Sequence, residues 1–175
     1  EHLKKNGQNL LFETGQETPA TLLRTIEDLH LPNLGINLDT ANLILYGRGN
    51  PVDALDVFGK YVRGIHGKDG LYPTDGRYLG KEVRLGDGKV NFPLFIEKLK
   101  EIGYDGAITL EREIDGEKKL EDIKYGKAYL EKIGVACPQC GKDIVVRKSK
   151  KGRKYYGCEN NPDCDYMIWQ RPKAA

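Results

Sequence analysis

The sequence predicts an α/β fold of parallel βα units, followed by a small domain that contains all four cysteines. Three observations lead to this prediction. Over residues 1–133, short apolar runs alternate with amphipathic helical patterns, which is typical of parallel strands joined by right-handed crossovers. The cysteines lie only in residues 134–175. That segment has 9 Lys and Arg against 4 Asp and Glu, whereas residues 1–133 have 19 against 22, so composition places a domain boundary near residues 133–136.

Four strands are predicted, and each is followed by a helix. The strands cover residues 9–13, 34–39, 62–66 and 107–111. Thr18 caps the first helix and Pro19 occupies its first turn, where proline is favoured. The second helix covers residues 51–62, the third begins after Asn91 and stops at Gly103, and the fourth covers residues 116–133.

Composition excludes several classes of protein. The mean hydropathy is −0.57, and no apolar run approaches the roughly 18–20 residues that span a bilayer. A membrane partner is therefore not expected. Residues 1–9 lack the apolar core of a signal peptide, and we expect a cytoplasmic location.

A polar side chain stands at the carboxyl end of each predicted strand: Glu13, Asp39, His66 and Glu111. Ligands bind at that edge of βα folds. Three converging carboxylates would repel one another unless a divalent cation neutralised them, and this donor set suits Mn²⁺, Mg²⁺, Co²⁺ or Zn²⁺. Each residue alone could have a structural role, but their presence at all four strand ends favours a metal site. Glu113 lies on the same face as Glu111 and is the alternative metal ligand. Glu111 is preferred because the apolar run ends there.

Five segments together resemble the xylose isomerase-like TIM barrel family of sugar phosphate isomerases and epimerases. They are FETGQETP (12–19), INLDTANL (36–43), GIHGKDG (64–70), LGDGKVNF (85–92) and EIGYDGAITLERE (101–113). The resemblance covers residues 9–133 and implies strands five to eight of the barrel. It implies that Glu13, Asp39, His66 and Glu111 bind one divalent metal. It also implies that Glu13 and Glu111 are the acid/base pair that moves a proton through an ene-diolate of a sugar or sugar phosphate.

The resemblance carries further expectations about the substrate and the missing strands. Lys68 and Asp69 are candidate contacts to a substrate hydroxyl or phosphate, or else solvated loop residues. Asn42 stands where the epimerase branch has a substrate-contacting histidine. Strands one to four are not represented, so we expect a truncated chain, a gene fusion, or a homodimer that completes the barrel, and slow turnover from the half barrel alone. The related endonuclease IV builds a three-zinc site from many histidines, which the three histidines of this chain do not match.

Cys137, Cys140, Cys158 and Cys164 form two close pairs separated by 17 residues, a spacing typical of a Cys₄ zinc site. The alternative is two disulfides, but local CxxC disulfides are strained. Residues 144–147 and 154–156 read as hairpin strands joined by a basic turn. A segment of about 40 residues buries too little surface to fold alone, so zinc is expected to stabilise it.

Residues 135–172 resemble the C-terminal zinc ribbon of bacterial type IA DNA topoisomerases. The resemblance rests on the CPxCG opening, the GRK-Tyr-Tyr hairpin and the GCxNxPxC closing, and it implies non-catalytic binding of single-stranded DNA. A basic hairpin with nearby aromatic rings suits that ligand, although some of the rings are expected to pack the ribbon core. The candidate DNA-binding residues are Arg147, Lys148, Lys150, Lys151, Arg153, Lys154, Tyr155, Tyr156 and Trp169.

Two functional hypotheses follow from these patterns. The first is a metal-dependent sugar isomerase or epimerase that carries a DNA-binding zinc ribbon. The alternative is a single-stranded DNA-binding module of the DNA topoisomerase I type, in which the α/β part is a non-catalytic scaffold.

Overall fold

The computed structural model describes residues 2–134, 137, 139–142, 144–149 and 152–169. The α/β part contains, in order, α1 (His2–Lys5), β1 (Leu10–Glu13), α2 (Pro19–Leu29), β2 (Leu34–Asp39), α3 (Asn42–Leu45), α4 (Pro51–Phe58), a 3₁₀ turn (Gly59–Tyr61), β3 (Val62–Gly67), β4 (Asp69–Gly70), β5 (Glu82–Val83), α5 (Phe92–Glu101), β6 (Ile108–Leu110) and α6 (Glu117–Gly134). The ribbon contains β7 (Ile144–Lys148), β8 (Lys154–Cys158) and β9 (Met167–Ile168).

The four predicted strands form one parallel sheet in the order β1-β2-β3-β6, which confirms the α/β prediction. Within the part of the chain that the structure describes, this sheet stays open and does not close into a barrel. One face packs against the helices through fully buried side chains such as Ile36, Leu38 and Phe58. Strand alternation turns the other face, which carries Asn37 and Asp39, away from the helices.

The register of the sheet aligns the carboxyl ends of its strands. Asp39 lies opposite His66, and Gly67 lies opposite Leu110, directly before Glu111. Glu13 ends β1 opposite Asn37. The polar residues at the strand ends are therefore brought to one edge by backbone pairing alone.

Side-chain caps begin the helices where the sequence predicts them. The hydroxyl of Thr18 accepts a hydrogen bond from the backbone of Thr21, and Asn91 accepts one from Leu94 at 3.3 Å. Asn50, directly before α4, accepts from the backbone N–H of Val52 at 2.8 Å. Each cap satisfies a backbone donor that the first turn of a helix leaves without a partner.

The predicted second helix, residues 51–62, is too long. It ends at Phe58, a 3₁₀ turn follows, and Val62 already belongs to β3. Gly59 is a poor helix former, and its Cα lies so close to Ile102 that an added Cβ would be 3.2 Å from that side chain. Helix α3 and the β4–β5 pair are not predicted, since elements of two to four residues show no hydrophobic period.

The ribbon is a three-stranded antiparallel sheet in the order β7-β8-β9. The predicted hairpin is confirmed, with Arg147 opposite Tyr155 and Val146 opposite Tyr156. Lys150 and Lys151 lie outside the described residues. None of the described helices is long and apolar enough to cross a membrane.

Candidate metal centres

The structure brings together the side chains that end the four parallel strands. Ligand atoms of Glu13, Asp39, His66 and Glu111 all lie within 4.8 Å of one another. Nδ1 of His66 is 3.1 Å from Oε1 of Glu13 and 3.0 Å from Oε2 of Glu111. Glu13 is the last residue of the outer strand β1 and Glu111 directly follows the outer strand β6, so they approach His66 from opposite sides.

Asp39 is the fully buried member of this group, which we call the strand-end cluster. Its Oδ1 accepts hydrogen bonds from the backbone N–H groups of Ala41 and Asn42, both at 2.9 Å. Burial raises the pKa of Asp39 to about 7, despite the nearby charge of Lys68. A further cation close to this carboxyl group would favour its ionised form at neutral pH.

Lys68 supplies part of the positive charge beside the cluster. Its side chain is 3% exposed, and its Nζ is 2.7 Å from Glu113, 3.6 Å from Asp39 and 3.9 Å from Glu111. Burial alone would lower the pKa of Lys68, but the hydrogen bond with Glu113 and the two nearby carboxylates outweigh it and raise the pKa. One ammonium group offsets only part of the charge of three clustered carboxylates.

The remaining polar atoms of the cluster fit a bound divalent cation. Oδ2 of Asp39 and Oε2 of Glu111 are buried and accept no hydrogen bond among the described residues. Their close contacts are ion pairs, with Lys68 at 3.6 and 3.9 Å and, for Glu111, with Nδ1 of His66 at 3.0 Å. Unsatisfied buried carboxylate oxygens are costly unless a cation completes their environment. Three carboxylates and one imidazole are ligands that Mg²⁺, Mn²⁺, Co²⁺ and Zn²⁺ all accept. The donor set therefore fits one such ion.

Two residues expected to contact the substrate, Asp69 and Asn42, form hydrogen bonds with the protein backbone. The carboxylate of Asp69 is buried and accepts hydrogen bonds from the backbone N–H groups of Gly70, Gly86, Gly88 and Val90. These contacts tie both ends of the loop after β3 together, and we assign Asp69 to the support of that loop. Asn42 donates its side-chain amide to the carbonyl oxygen of Thr14 at 3.0 Å, which joins the loops after β1 and β2.

A buried ion-pair network supports the segment that follows β6. Arg112 lies 2.8 Å from both Glu82 and Asp122, and all three side chains are nearly buried. The carboxylate of Glu82 also accepts the backbone N–H of Glu113 at 3.1 and 3.2 Å. The backbone on the C-terminal side of Glu111 is thereby fixed, which aims that side chain at the cluster.

Asn37 is a neighbour of the cluster that the sequence pattern did not single out. Its Nδ2 lies 3.2 Å from Nε2 of His66. The available signal was a polar residue inside an apolar strand, two positions before Asp39 and hence on the same face.

The four cysteines form a second cluster, with all Sγ atoms within 4.8 Å of one another. The Sγ atoms of Cys137 and Cys164 are 3.6 Å apart, those of Cys140 and Cys158 are 3.2 Å apart, and no disulfide joins them. Tetrahedral coordination at the usual Zn–S distance separates sulfurs by about 3.8 Å. This arrangement fits one zinc ion and agrees with the spacing-based prediction.

The candidate DNA-binding residues fall on different parts of the ribbon. Tyr166 packs against the cysteines, whereas the rings of Tyr155 and Trp169 pair at 5.9 Å on the outer surface, where Trp169 is 60% exposed. The guanidinium of Arg147 donates to the carbonyl oxygens of Cys158 and Glu159. Lys148, Arg153 and Lys154 are exposed at the hairpin end, and Tyr156 is half-buried.

Comparisons with solved structures match the α/β part. A xylose isomerase domain protein from Planctomyces limnophilus is 44% identical, with a TM-score of 0.73, over 75% of this chain and 49% of that protein. A D-tagatose 3-epimerase-like protein is 30% identical, with a TM-score of 0.55, over 74% of this chain and 49% of that protein. A xylose isomerase-like TIM barrel protein from Mycobacterium smegmatis, solved in complex with magnesium, is 25% identical over 72% of this chain and 44% of that protein, with a TM-score of 0.59.

This chain spans about half the length of these solved structures. Residues 134–173 match the family described as the topoisomerase DNA-binding C4 zinc finger. Residues 1–133 match the family described as the xylose isomerase-like TIM barrel. The chain therefore belongs to the xylose isomerase-like TIM barrel family and carries a topoisomerase-type zinc ribbon.

Proposed function

We propose that the α/β part is a divalent-metal-dependent isomerase or epimerase domain for a sugar or sugar phosphate. The observation that carries this proposal is the convergence of Glu13, Asp39, His66 and Glu111, with two buried carboxylate oxygens left without hydrogen bonds among the described residues. Asp39 and His66 would hold the ion together with the two glutamates. A bound divalent cation would stabilise negative charge on the oxygens of an ene-diolate.

Glu13 and Glu111 are the proposed acid/base pair. They flank His66 from the two outer strands, so each can face one side of a substrate carbon placed over the cluster. One carboxylate would remove the proton beside the substrate carbonyl, and the other would return a proton to the opposite side. Lys68 holds a permanent charge beside Glu111, where it can orient a substrate oxygen or stabilise the carboxylates.

A substrate pocket also needs side walls, which this open sheet does not form. In the described structure, the outer edges of β1 and β6 are not paired with another strand. We expect a second copy of the chain, or an N-terminal half, to pair there and complete the barrel.

Hydrogen exchange from solvent tests the proposed chemistry directly. The Mn²⁺-loaded chain, incubated with ketoses or their phosphates in D₂O, should introduce deuterium at the carbon beside the carbonyl, as read by proton NMR. Glu13→Gln should abolish this exchange, whereas Glu17→Gln, an exposed change in the following loop, should not. Exchange no faster than that caused by free Mn²⁺ would contradict the proposal.

A second candidate function, single-stranded DNA binding, is favoured by the surface of the ribbon. The rings of Tyr155 and Trp169 pair on the ribbon surface, where Trp169 is largely exposed, and Lys148 and Lys154 are exposed at the end of the same hairpin. Rings can stack on bases while cations neutralise phosphates. In the alternative account, this is the chain's only activity and the α/β part is a scaffold.

Replacing Trp169 by Ala should weaken binding of single-stranded DNA by about 1–3 kcal/mol, the usual value of one base–aromatic stack. Fluorescence anisotropy of a labelled oligothymidine at fixed salt measures this change. The matched control is Tyr78→Ala, which removes an aromatic side chain that is 75% exposed on the α/β part. Equal affinities of Trp169→Ala and the unaltered chain would exclude this ring as a stacking platform.

A further inference from the structure

We infer that Asn37 is a positioning residue that sets the ring tautomer of His66 and so permits His66 to bind the metal. This inference rests on the proposed metal centre. Asn37 and His66 lie on neighbouring strands and on the same face of the sheet, with Nδ2 of Asn37 3.2 Å from Nε2 of His66. The other ring nitrogen, Nδ1, points at the carboxylates of the strand-end cluster.

The surroundings of the ring favour one tautomer when no cation is bound. Two carboxylates face Nδ1 and can only accept, so in a neutral ring the proton lies on Nδ1, and Nε2 accepts from the amide of Asn37. That N–H donates to Oε1 of Glu13 at 3.1 Å and also lies 3.0 Å from Oε2 of Glu111. The protonated Nδ1 thus occupies the place where a cation would bind.

Metal binding requires the opposite tautomer. A ligating Nδ1 must be unprotonated, so the proton of the neutral ring moves to Nε2, which then needs an acceptor. Rotation of the Asn37 amide by half a turn replaces its N–H₂ with its carbonyl oxygen. An amide carries both a donor and an acceptor, so one side chain can serve both tautomers.

The backbone around Asn37 is built to admit this amide. The register between β2 and β3 is irregular between Ile36 and Asn37, so that Val62 and Gly64 pair with these consecutive residues and Arg63 is passed over. Such bulges redirect a side chain near functional sites. A Cβ on Gly64 would lie 2.6 Å from Oδ1 of Asn37, although the backbone of Gly64 is not in the left-handed region. A side chain at position 64 would therefore displace the amide of Asn37.

Two substitutions distinguish loss of the hydrogen-bond acceptor at position 37 from a change in side-chain packing. In the zinc-loaded chain, Asn37→Leu keeps the branched shape of the side chain and removes both polar groups, whereas Asn37→Asp keeps an acceptor. Titration with Mn²⁺, followed through the EPR signal of the free ion, should show affinity reduced roughly 10- to 100-fold by Asn37→Leu. Asn37→Asp should restore binding. The matched control is Asn33→Leu, since Asn33 is a buried asparagine directly before β2, at the end of the strand away from the cluster.

The ring nitrogens of His66 report the tautomer independently of affinity. In ¹⁵N NMR spectra, the metal-free chain should show the proton on Nδ1, and the Mg²⁺-saturated chain should show it on Nε2. Mn²⁺ binding that is unchanged in Asn37→Leu, or a proton that stays on Nδ1 with Mg²⁺ bound, would overturn the inference about Asn37. Either result would leave the proposed metal centre in place. Failure of the unaltered chain to bind Mn²⁺ would overturn the proposed metal centre as well.

Discussion

Removing zinc from the ribbon should unfold it and leave the α/β part folded. Buried cysteines, with Ile144 and Tyr166 packed against them, form the core of the ribbon. Structural zinc contributes about 10–16 kcal/mol of apparent binding free energy in small zinc-binding domains, far more than so few apolar contacts supply. Replacing Cys158 by Ser should have the same effect as a chelator, because one of the four ligands is lost.

The two parts of the chain can be followed separately in this experiment. Trp169 is the single tryptophan, so its fluorescence reports the ribbon, while far-ultraviolet circular dichroism is dominated by the helices of the α/β part. Lys142→Ala is the matched control, since it changes an exposed residue near the sulfurs without removing one. An unchanged Trp169 signal in the zinc-free chain would show that the ribbon folds without its metal.

Replacing Glu111 by Gln should reduce Mn²⁺ affinity at the strand-end cluster by more than roughly 100-fold. Loss of a residue that only supports a metal ligand reduces affinity by at most about that factor, and loss of a ligand should cost more. Glu111 is a proposed ligand, and its Oε2 is one of the two buried oxygens that lack a hydrogen bond among the described residues. Glu113→Gln should change affinity little, since Glu113 is 62% exposed and contacts only the ammonium of Lys68 within the cluster region.

Both variants replace a glutamate by glutamine on the same strand face, and the two positions are two residues apart in the sequence. Both proteins should keep the unaltered far-ultraviolet circular dichroism and one zinc in the ribbon. Calorimetric titration with Mn²⁺ then compares the two sites. A larger loss of affinity in Glu113→Gln than in Glu111→Gln would transfer the ligand role to Glu113.

The framework of the α/β part was predictable because local signals and topology agree. Apolar runs of five or six residues marked the strands, and the caps at Thr18 and Asn91 marked two helix starts. Parallel βα order then sends every strand end to the same edge. For that reason the sequence alone places Glu13 and Glu111 together, although nearly the whole domain separates them along the chain.

What escaped prediction depends on tertiary register and burial. The partner of His66 is fixed by an irregularity between β2 and β3 that has no signature in the sequence. The burial of Lys68 and the four backbone contacts of Asp69 depend on the path of a long loop. Arg147 reads as one more cation of a basic hairpin, yet its guanidinium donates to backbone carbonyls of the ribbon.

The most direct test of this account is the metal content of the intact chain. Native mass spectrometry after equilibration with Zn²⁺ and Mn²⁺, and removal of loosely bound ions, counts the metals held by each molecule. We predict one zinc at the four cysteines and one Mn²⁺ at the strand-end cluster, with only the second lost in His66→Ala. Retention of zinc alone by the unaltered chain would contradict the central claim that the strand ends form a metal centre.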